Sequence, residues 1–213
     1  MPDLFVIAGP NGAGKSTYSS LLVPLYLNVF DADKRLAEKE KLFPDINPWQ
    51  LMEGIMDHDF EREIARAIGT KSDFAYETNF SVDGPLQTPD RFRQAGYRIN
   101  LIYIGLESVK AAIARVEYRK SLGGHDVSNE EIISRYHKGL ENLEKHLPYF
   151  DRAMVYAGQK GIKIATPRIV YQLQKGLIIE RNLPIPRWAR NLPVEERSPA
   201  EQIQRHPKKG RRR

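Results

Sequence analysis

The sequence predicts an α/β fold in which a mostly parallel sheet is covered by helices on both faces. Three features carry that expectation. Short apolar runs of strand length alternate with longer stretches whose apolar residues recur every three or four positions, and such alternation builds parallel sheets joined by crossover helices. A glycine-rich segment separates the first apolar run from the first helical stretch. The next apolar runs end in acidic residues.

In order along the chain, "LFVIA" (4–8) reads as a short buried strand, and the glycine-rich loop after it opens a helix over 15–22. "LNVFDAD" (27–33) reads as a second strand ending in Asp31 and Asp33. Asn47-Pro48 supplies an N-cap and a proline at the first helical position. From there Trp49, Met52, Ile55, Met56, Phe60, Ile64, Ala67 and Ile68 recur at helical spacing up to Gly69. "DFAYE" (73–77) is a third strand, followed by a helix that Gly96 terminates. "YRINLIYIGL" (97–106) is a fourth strand and "SVKAAIARVEYRK" (108–120) a helix, leading into the glycine-rich loop "LGGHDV". Ser128 and Glu131 have capping-box spacing and introduce a helix with Ile132, Ile133, Tyr136, Leu140 and Leu143 on one face. "RAMVYA" and "KIATPRIVYQLQKGLIIE" read as shorter terminal strands.

The 213 residues suit one sizeable core rather than two full domains. The net charge of +6 is unevenly placed: residues 181–213 hold ten Lys/Arg against three Glu, whereas residues 1–180 are close to neutral. We therefore expect a domain over 1–180 and a proline-containing basic extension over 181–213 that is partly disordered. A solvated tail and a contact for acidic partners or RNA are both open readings of that extension. The absence of cysteine excludes disulfides, thiolate metal sites and cysteine nucleophiles. The five histidines form no H-x-x-x-H pair, which gives a zinc site little support. Apolar runs of about six residues fall far short of the ~20 needed to span a bilayer. The N-terminus "MPDLFVIAG" runs straight into the glycine motif, which argues against a removable signal peptide. A cytoplasmic protein with no membrane contact is the expectation.

The chemistry begins at "GPNGAGKST". Gly9, Gly14, Lys15 and Ser16 satisfy G-x-x-x-x-G-K-[ST] between a strand and a helix, the phosphate-binding loop of P-loop NTPases. Backbone N–H groups across Gly9, Pro10, Asn11, Gly12, Ala13 and Gly14 then wrap a polyphosphate, apart from the proline, which has none. Lys15 bridges the β- and γ-phosphates, Ser16 ligates magnesium, and Thr17 reaches the α-phosphate. ATP and Mg2+ are the cofactors this motif implies.

Strand C-termini line the ligand crevice of an open parallel sheet, which brings Asp31, Asp33 and Glu77 towards this loop. An aspartate there accepts a substrate proton or holds magnesium through water; a helix cap is the structural alternative for Asp31. Glu77, Thr78 and Asn79 form a polar cluster at the end of an apolar strand. Arg115 and Arg119 lie four apart on one helix face, as forked cations suited to a phosphoryl transition state. No N-K-x-D stretch and no clean second acidic strand motif of motor proteins is present, so phosphoryl transfer fits better than a switch or motor.

Together "VIAGPNGAGKST", "FDADKR", "FAYETNFS" and "AIARVEYRKSLGGHDVSNEEIISRYHKGLENL" resemble, in order and over residues 4–190, the zeta toxin family of P-loop kinases, especially its short chromosomal members. The resemblance implies a nucleoside-kinase-like fold and transfer of the ATP γ-phosphate to the sugar 3′-hydroxyl of UDP-N-acetylglucosamine. It also implies an antitoxin that blocks the ATP site. It makes Asp33 the base, gives Lys15 and Ser16 the phosphates and magnesium, and sets Glu77, Thr78 and Asn79 at the nucleotide sugar. Arg115 becomes the arginine on the transferring phosphoryl group, with Arg119 beside it. Asn79 stands where threonine is usual, and His125 falls near the place of a second family arginine; Arg135 is the other candidate for that charge. Two alternatives stay open: a P-loop kinase for another hydroxyl (a metabolite, an antibiotic or a nucleic-acid end) and a nucleotide-dependent binding module.

Overall fold

The computed structural model describes residues 1–123, 127–158 and 166–196. Its sheet has seven strands, β1 (Asp3–Ala8), β2 (Val29–Phe30), β3 (Phe74–Thr78), β4 (Arg98–Gly105), β5 (Arg152–Ala157), β6 (Arg168–Gln174) and β7 (Leu177–Arg181), in the spatial order β2-β3-β1-β4-β5-β6-β7. The pairs among β2, β3, β1, β4 and β5 are parallel, and β6 and β7 close the sheet as an antiparallel hairpin. The parallel strands read as nearly continuous apolar runs because both faces are covered. On one face lie Leu4, Val6, Tyr76, Leu101, Tyr103 and Val155. Ile7, Ala75, Ile102, Ile104 and Tyr156 lie on the other.

The second strand is much shorter than the expected 27–33. Only Val29 and Phe30 pair with β3, and helix α2 (Ala32–Leu42) starts directly afterwards. Asp31 is its N-cap, its carboxylate accepting from the Lys34 N–H at 3.0 Å. An aspartate satisfies a helix's free N–H groups better than it extends a strand, so the acids turn the chain. The helical run from Pro48 is likewise not uniform. It comprises α3 (Pro48–Gly54), a π-helical segment Ile55–Phe60 and α4 (Glu61–Thr70). The shifted register buries Ile55, Phe60 and Ile64 while leaving Trp49 77% exposed.

Three further helices complete the layers: α5 (Gln87–Gln94), α6 (Val109–Ser121) and α7 (Asn129–His146), with α1 (Lys15–Leu22) following the first strand. Gly96 ends α5 with φ +85°, and Tyr97 N–H returns to the Phe92 carbonyl at 3.1 Å, the closure expected of a left-handed C-terminal residue. Ser128 caps α7 through the Glu131 N–H at 3.2 Å. In α7, Ile132, Tyr136 and Leu143 are buried as expected, but Ile133 faces solvent; Gly139 and Asn142 take the inner positions instead. Among the described residues no helix is long and apolar enough to cross a membrane.

Residues 182–196 fold back over the sheet. Trp188, Ala189 and Leu192 are buried there, with the Trp188 ring 5.8 Å from that of Tyr103. Among the described residues the buried Trp188 indole N–H has no hydrogen-bond partner, so its value is packing. We predict that Trp188→Ala lowers the unfolding free energy by about 3–5 kcal/mol. Trp188→Phe should cost less than half as much, because it removes an unpaired polar group. Urea denaturation of the two variants checks both values.

Candidate functional site

The glycine loop leaves the sheet where β1 is flanked by β3 and β4. Gly9 has φ +146°, and a Cβ there would lie 2.3 Å from the Ile104 carbonyl oxygen. Only glycine permits that exit. The loop then delivers Lys15 as the first residue of α1, whose N-terminus has no side-chain cap. First-turn N–H groups and the helix dipole thus face the loop's interior, an arrangement that favours anions. The Lys15 ammonium donates to the Gly9 carbonyl (2.8 Å), to Asn79 Oδ1 (2.9 Å) and more weakly to the Pro10 carbonyl (3.3 Å). Burial lowers its pKa, opposed by the carboxylates of Glu77, Asp33 and Asp31.

The acids arrive from two elements. β1 and β3 pair in parallel with Ile7 beside Glu77 and Ala8 beside Thr78. Strand alternation puts Glu77 on the face of Ala75, where α1 packs, and Ser16 Oγ donates to Glu77 Oε2 at 2.8 Å. Burial, reinforced by the neighbouring Asp31 charge, pushes the Glu77 pKa up to about 7. Asp33 and Lys34 stand in the first turn of α2, and both line the cleft; Arg35 turns away, lying over the Phe30 ring and pairing with Glu63.

The opposite wall is α6. It crosses the loop at Gly12, where a Cβ would come within 3.0 Å of Arg115 Cβ and 3.1 Å of the Ala112 carbonyl. Arg115 Nη1 donates to the Gly12 carbonyl at 3.2 Å, and burial lowers the pKa of this guanidinium. Arg119, one turn on, is close enough for its charge to act on Lys15. Between these walls lies a cleft of about 390 Å³.

Of the residues singled out in the sequence, the cleft gathers Asn11, Gly12, Ala13, Gly14, Lys15, Ser16 and Thr17 with Asp31, Asp33, Glu77, Arg115 and Arg119. Gly9 and Pro10 act from behind, through their carbonyls on Lys15. Asn79 also reaches Lys15 rather than the open cleft, and Thr78 turns inward, its hydroxyl accepting from the Phe80 N–H at 2.9 Å. Arg135 pairs with Glu131 on its own helix at 2.9 Å. His125 lies outside the described residues.

The sequence reading missed Tyr18, Lys34, Ala37, Tyr118, Leu122, Gly158 and Pro167, which also line the cleft. Helical spacing offered a signal for some: 115, 118 and 119 share one face of α6, whose C-cap is Leu122, and 33, 34 and 37 share one face of α2. Gly158 and Pro167 had none, since the fold alone brings the end of β5 and the start of β6 to the cleft.

Among the described residues no group of three or more His, Asp or Glu is disposed to hold a metal unaided. The Ser16 hydroxyl with the Glu77 carboxylate beside it, and Asp31 close by, nevertheless form a hard oxygen donor set, and Glu77 is a buried acid that a cation would stabilise. That chemistry fits Mg2+ held jointly with nucleotide phosphates.

Fold and loop together define a P-loop α/β protein whose parallel strands run in the order β2-β3-β1-β4-β5. Its fold is shared with a chain from the PezAT chromosomal toxin–antitoxin system of Streptococcus pneumoniae (TM-score 0.61, 16% identity, 95% of this chain and 82% of that one). It is shared also with a chain of the AvrRxo1-ORF1:-ORF2 structure with ATP (0.61, 11%, 83% and 59%). A chain of the Pnkp1/Rnl/Hen1 RNA repair complex aligns less extensively (0.51, 16%, 68% and 46%). In sequence, an uncharacterized protein of Haemophilus influenzae is 28% identical over 131 residues, 60% of this chain and 88% of the relative. No family model matches the chain.

The Glu77 environment makes stability depend on pH. Its pKa is about 7 in the folded protein against 4.5 for a free glutamate, so between those values the folded state binds more protons than the unfolded one. Stability from this group is therefore greatest below pH 4.5 and declines as pH rises to about 7. Glu77→Gln removes the penalty: it should be more stable than the parent by roughly 1–3 kcal/mol at pH 8, with the gap closing near pH 4.5. Urea midpoints at the two pH values measure it; a gap independent of pH would contradict the assignment.

Proposed function

We propose that this protein is an ATP-dependent kinase of the zeta-toxin type, transferring the γ-phosphate to a hydroxyl of a second small molecule, with UDP-N-acetylglucosamine as acceptor. The observation that carries the proposal is the opposition, across one cleft, of a lysine-bearing phosphate loop and an aspartate at the start of α2. A triphosphate seated on the loop would lie beside Asp33 and Glu77, which line the same cleft. Asp33 then takes the proton of the attacking hydroxyl, a base acting at the site of in-line attack. Lys15 and the first-turn N–H groups of α1 hold the β- and γ-phosphates. Ser16 holds Mg2+, with Glu77 and Asp31 around it; when bound, the ion neutralises charge on the phosphate oxygens.

Arg115, tied to the loop at Gly12, is the cation on the transferring phosphoryl group, with Arg119 one turn beyond it on the same wall of the cleft. The kinase domain reaches beyond residue 180, since β7 ends at Arg181 and Trp188, Ala189 and Leu192 pack into its core, and the basic extension follows them. Fold likeness to a chain of the PezAT toxin–antitoxin system supports an antitoxin partner, and the chemistry suits the cytoplasm, where ATP is plentiful. A nucleic-acid end is the second reading, favoured by the ten Lys/Arg of residues 181–213 and the likeness to a chain of an RNA repair complex.

Mass spectrometry after incubation with ATP, Mg2+ and UDP-N-acetylglucosamine tests the proposal. The sugar nucleotide should gain one phosphate, and Asp33→Asn should lose turnover about 100-fold or more while retaining ATP affinity. An unmodified sugar nucleotide would exclude that acceptor. Unchanged turnover in Asp33→Asn would exclude the base.

A further inference from the structure

The contacts around Asn79 lead away from the cleft to α7, an element with no residue lining it. Asn142, 4% exposed in α7, donates through Nδ2 to the Phe80 carbonyl (2.8 Å) and the Val82 carbonyl (3.1 Å). One turn earlier Gly139 lies so close to the same loop that a Cβ would stand 2.7 Å from the Asn79 carbonyl oxygen. Between these supports Phe80 is buried with φ +57°, a left-handed conformation unusual for a phenylalanine. Such a conformation persists only where its surroundings impose it. The residue held by this arrangement is Asn79, whose Oδ1 accepts from the Lys15 ammonium at 2.9 Å.

We propose that Gly139 and Asn142 are positioning residues for the phosphate-binding lysine: α7 sets the backbone of residues 79–82 so that Asn79 aims Lys15 into the loop. Lys15 has three N–H donors and three protein acceptors, of which Pro10 is the most distant. An arriving phosphate replaces the Pro10 contact, while Gly9 and Asn79 keep the ammonium in place. The inference rests on the nucleotide-binding reading above and extends it to a helix on the far side of the strand end.

Calorimetric titration with ATP and Mg2+ tests it without any acceptor. Asn79→Ala should weaken ATP about tenfold, the scale of one hydrogen bond to a charged group. Gly139→Ala should weaken it similarly and at some cost in thermal stability, since its Cβ would stand 2.7 Å from the Asn79 carbonyl oxygen and the backbone of residues 79–80 must shift to admit it. Asn142→Ala should do the same at lower stability. The distinguishing result is non-additivity: Asn79→Ala combined with Gly139→Ala should bind no more weakly than Asn79→Ala alone. Parental affinity in Gly139→Ala, or losses that multiply in the double variant, would overturn the proposal. A parent protein that binds no ATP would instead remove the nucleotide reading itself, and this inference with it.

Discussion

A lysine ammonium drawn into protein at the end of a strand is costly unless its donors are met. Lys15 is met by the Gly9 and Pro10 carbonyls and by Asn79, and much of the surrounding structure follows from that requirement. The loop must curl back on itself so that its own carbonyls face the ammonium, which requires a residue at position 9 able to adopt φ +146° against β4. β3 must pair with β1 in the register that places Thr78 beside Ala8, because Asn79 then emerges next to the loop. α7 must approach residues 79–82 closely, and Gly139 with Asn142 allows and fixes that approach.

Charge in the cleft is divided between its walls. Asp31, Asp33 and Glu77 stand on the β2–β3 side, Arg115 and Arg119 on α6, and Lys15 between them. The acidic wall is not self-sufficient: burial and Asp31 together hold Glu77 near neutrality in its titration, so the wall gains most when a cation joins it. The basic wall is built on a helix that cannot shift freely, since Gly12 and Arg115 are in contact at the crossing. Such a division suits the proposed phosphoryl transfer, which relies on positioning and charge stabilisation rather than covalent chemistry.

Much of this was legible in the sequence because local rules and global fold agree. The strand–loop–helix unit at 4–22, the capping box at Ser128 and the terminating Gly96 each follow from backbone chemistry confined to a few residues. The misreadings arose where a second local preference won. Asp31 was available both to end a strand and to cap a helix, and capping took it, shortening β2 to two residues and moving Asp33 onto α2. The apolar spacing from Trp49 to Ile68 fits one helix, but a π-helical segment absorbs part of the run and leaves Trp49 exposed. Trp188 sits in a proline-rich stretch whose composition suggests solvent, while its burial depends on Tyr103 more than eighty residues away. The link from α7 to Lys15 was invisible for the same reason: each contact is ordinary, and only the tertiary fold joins Asn142, Phe80 and Asn79.

The central claim is that Lys15 and the loop around it form the seat of a nucleotide triphosphate. Equilibrium binding of ATP with Mg2+ to the parent protein and to Lys15→Ala tests it most directly. The account predicts saturable binding to the parent and a loss of about 100-fold in the variant, the scale of one buried, charge-assisted phosphate contact. Equal affinity in the two proteins would contradict it.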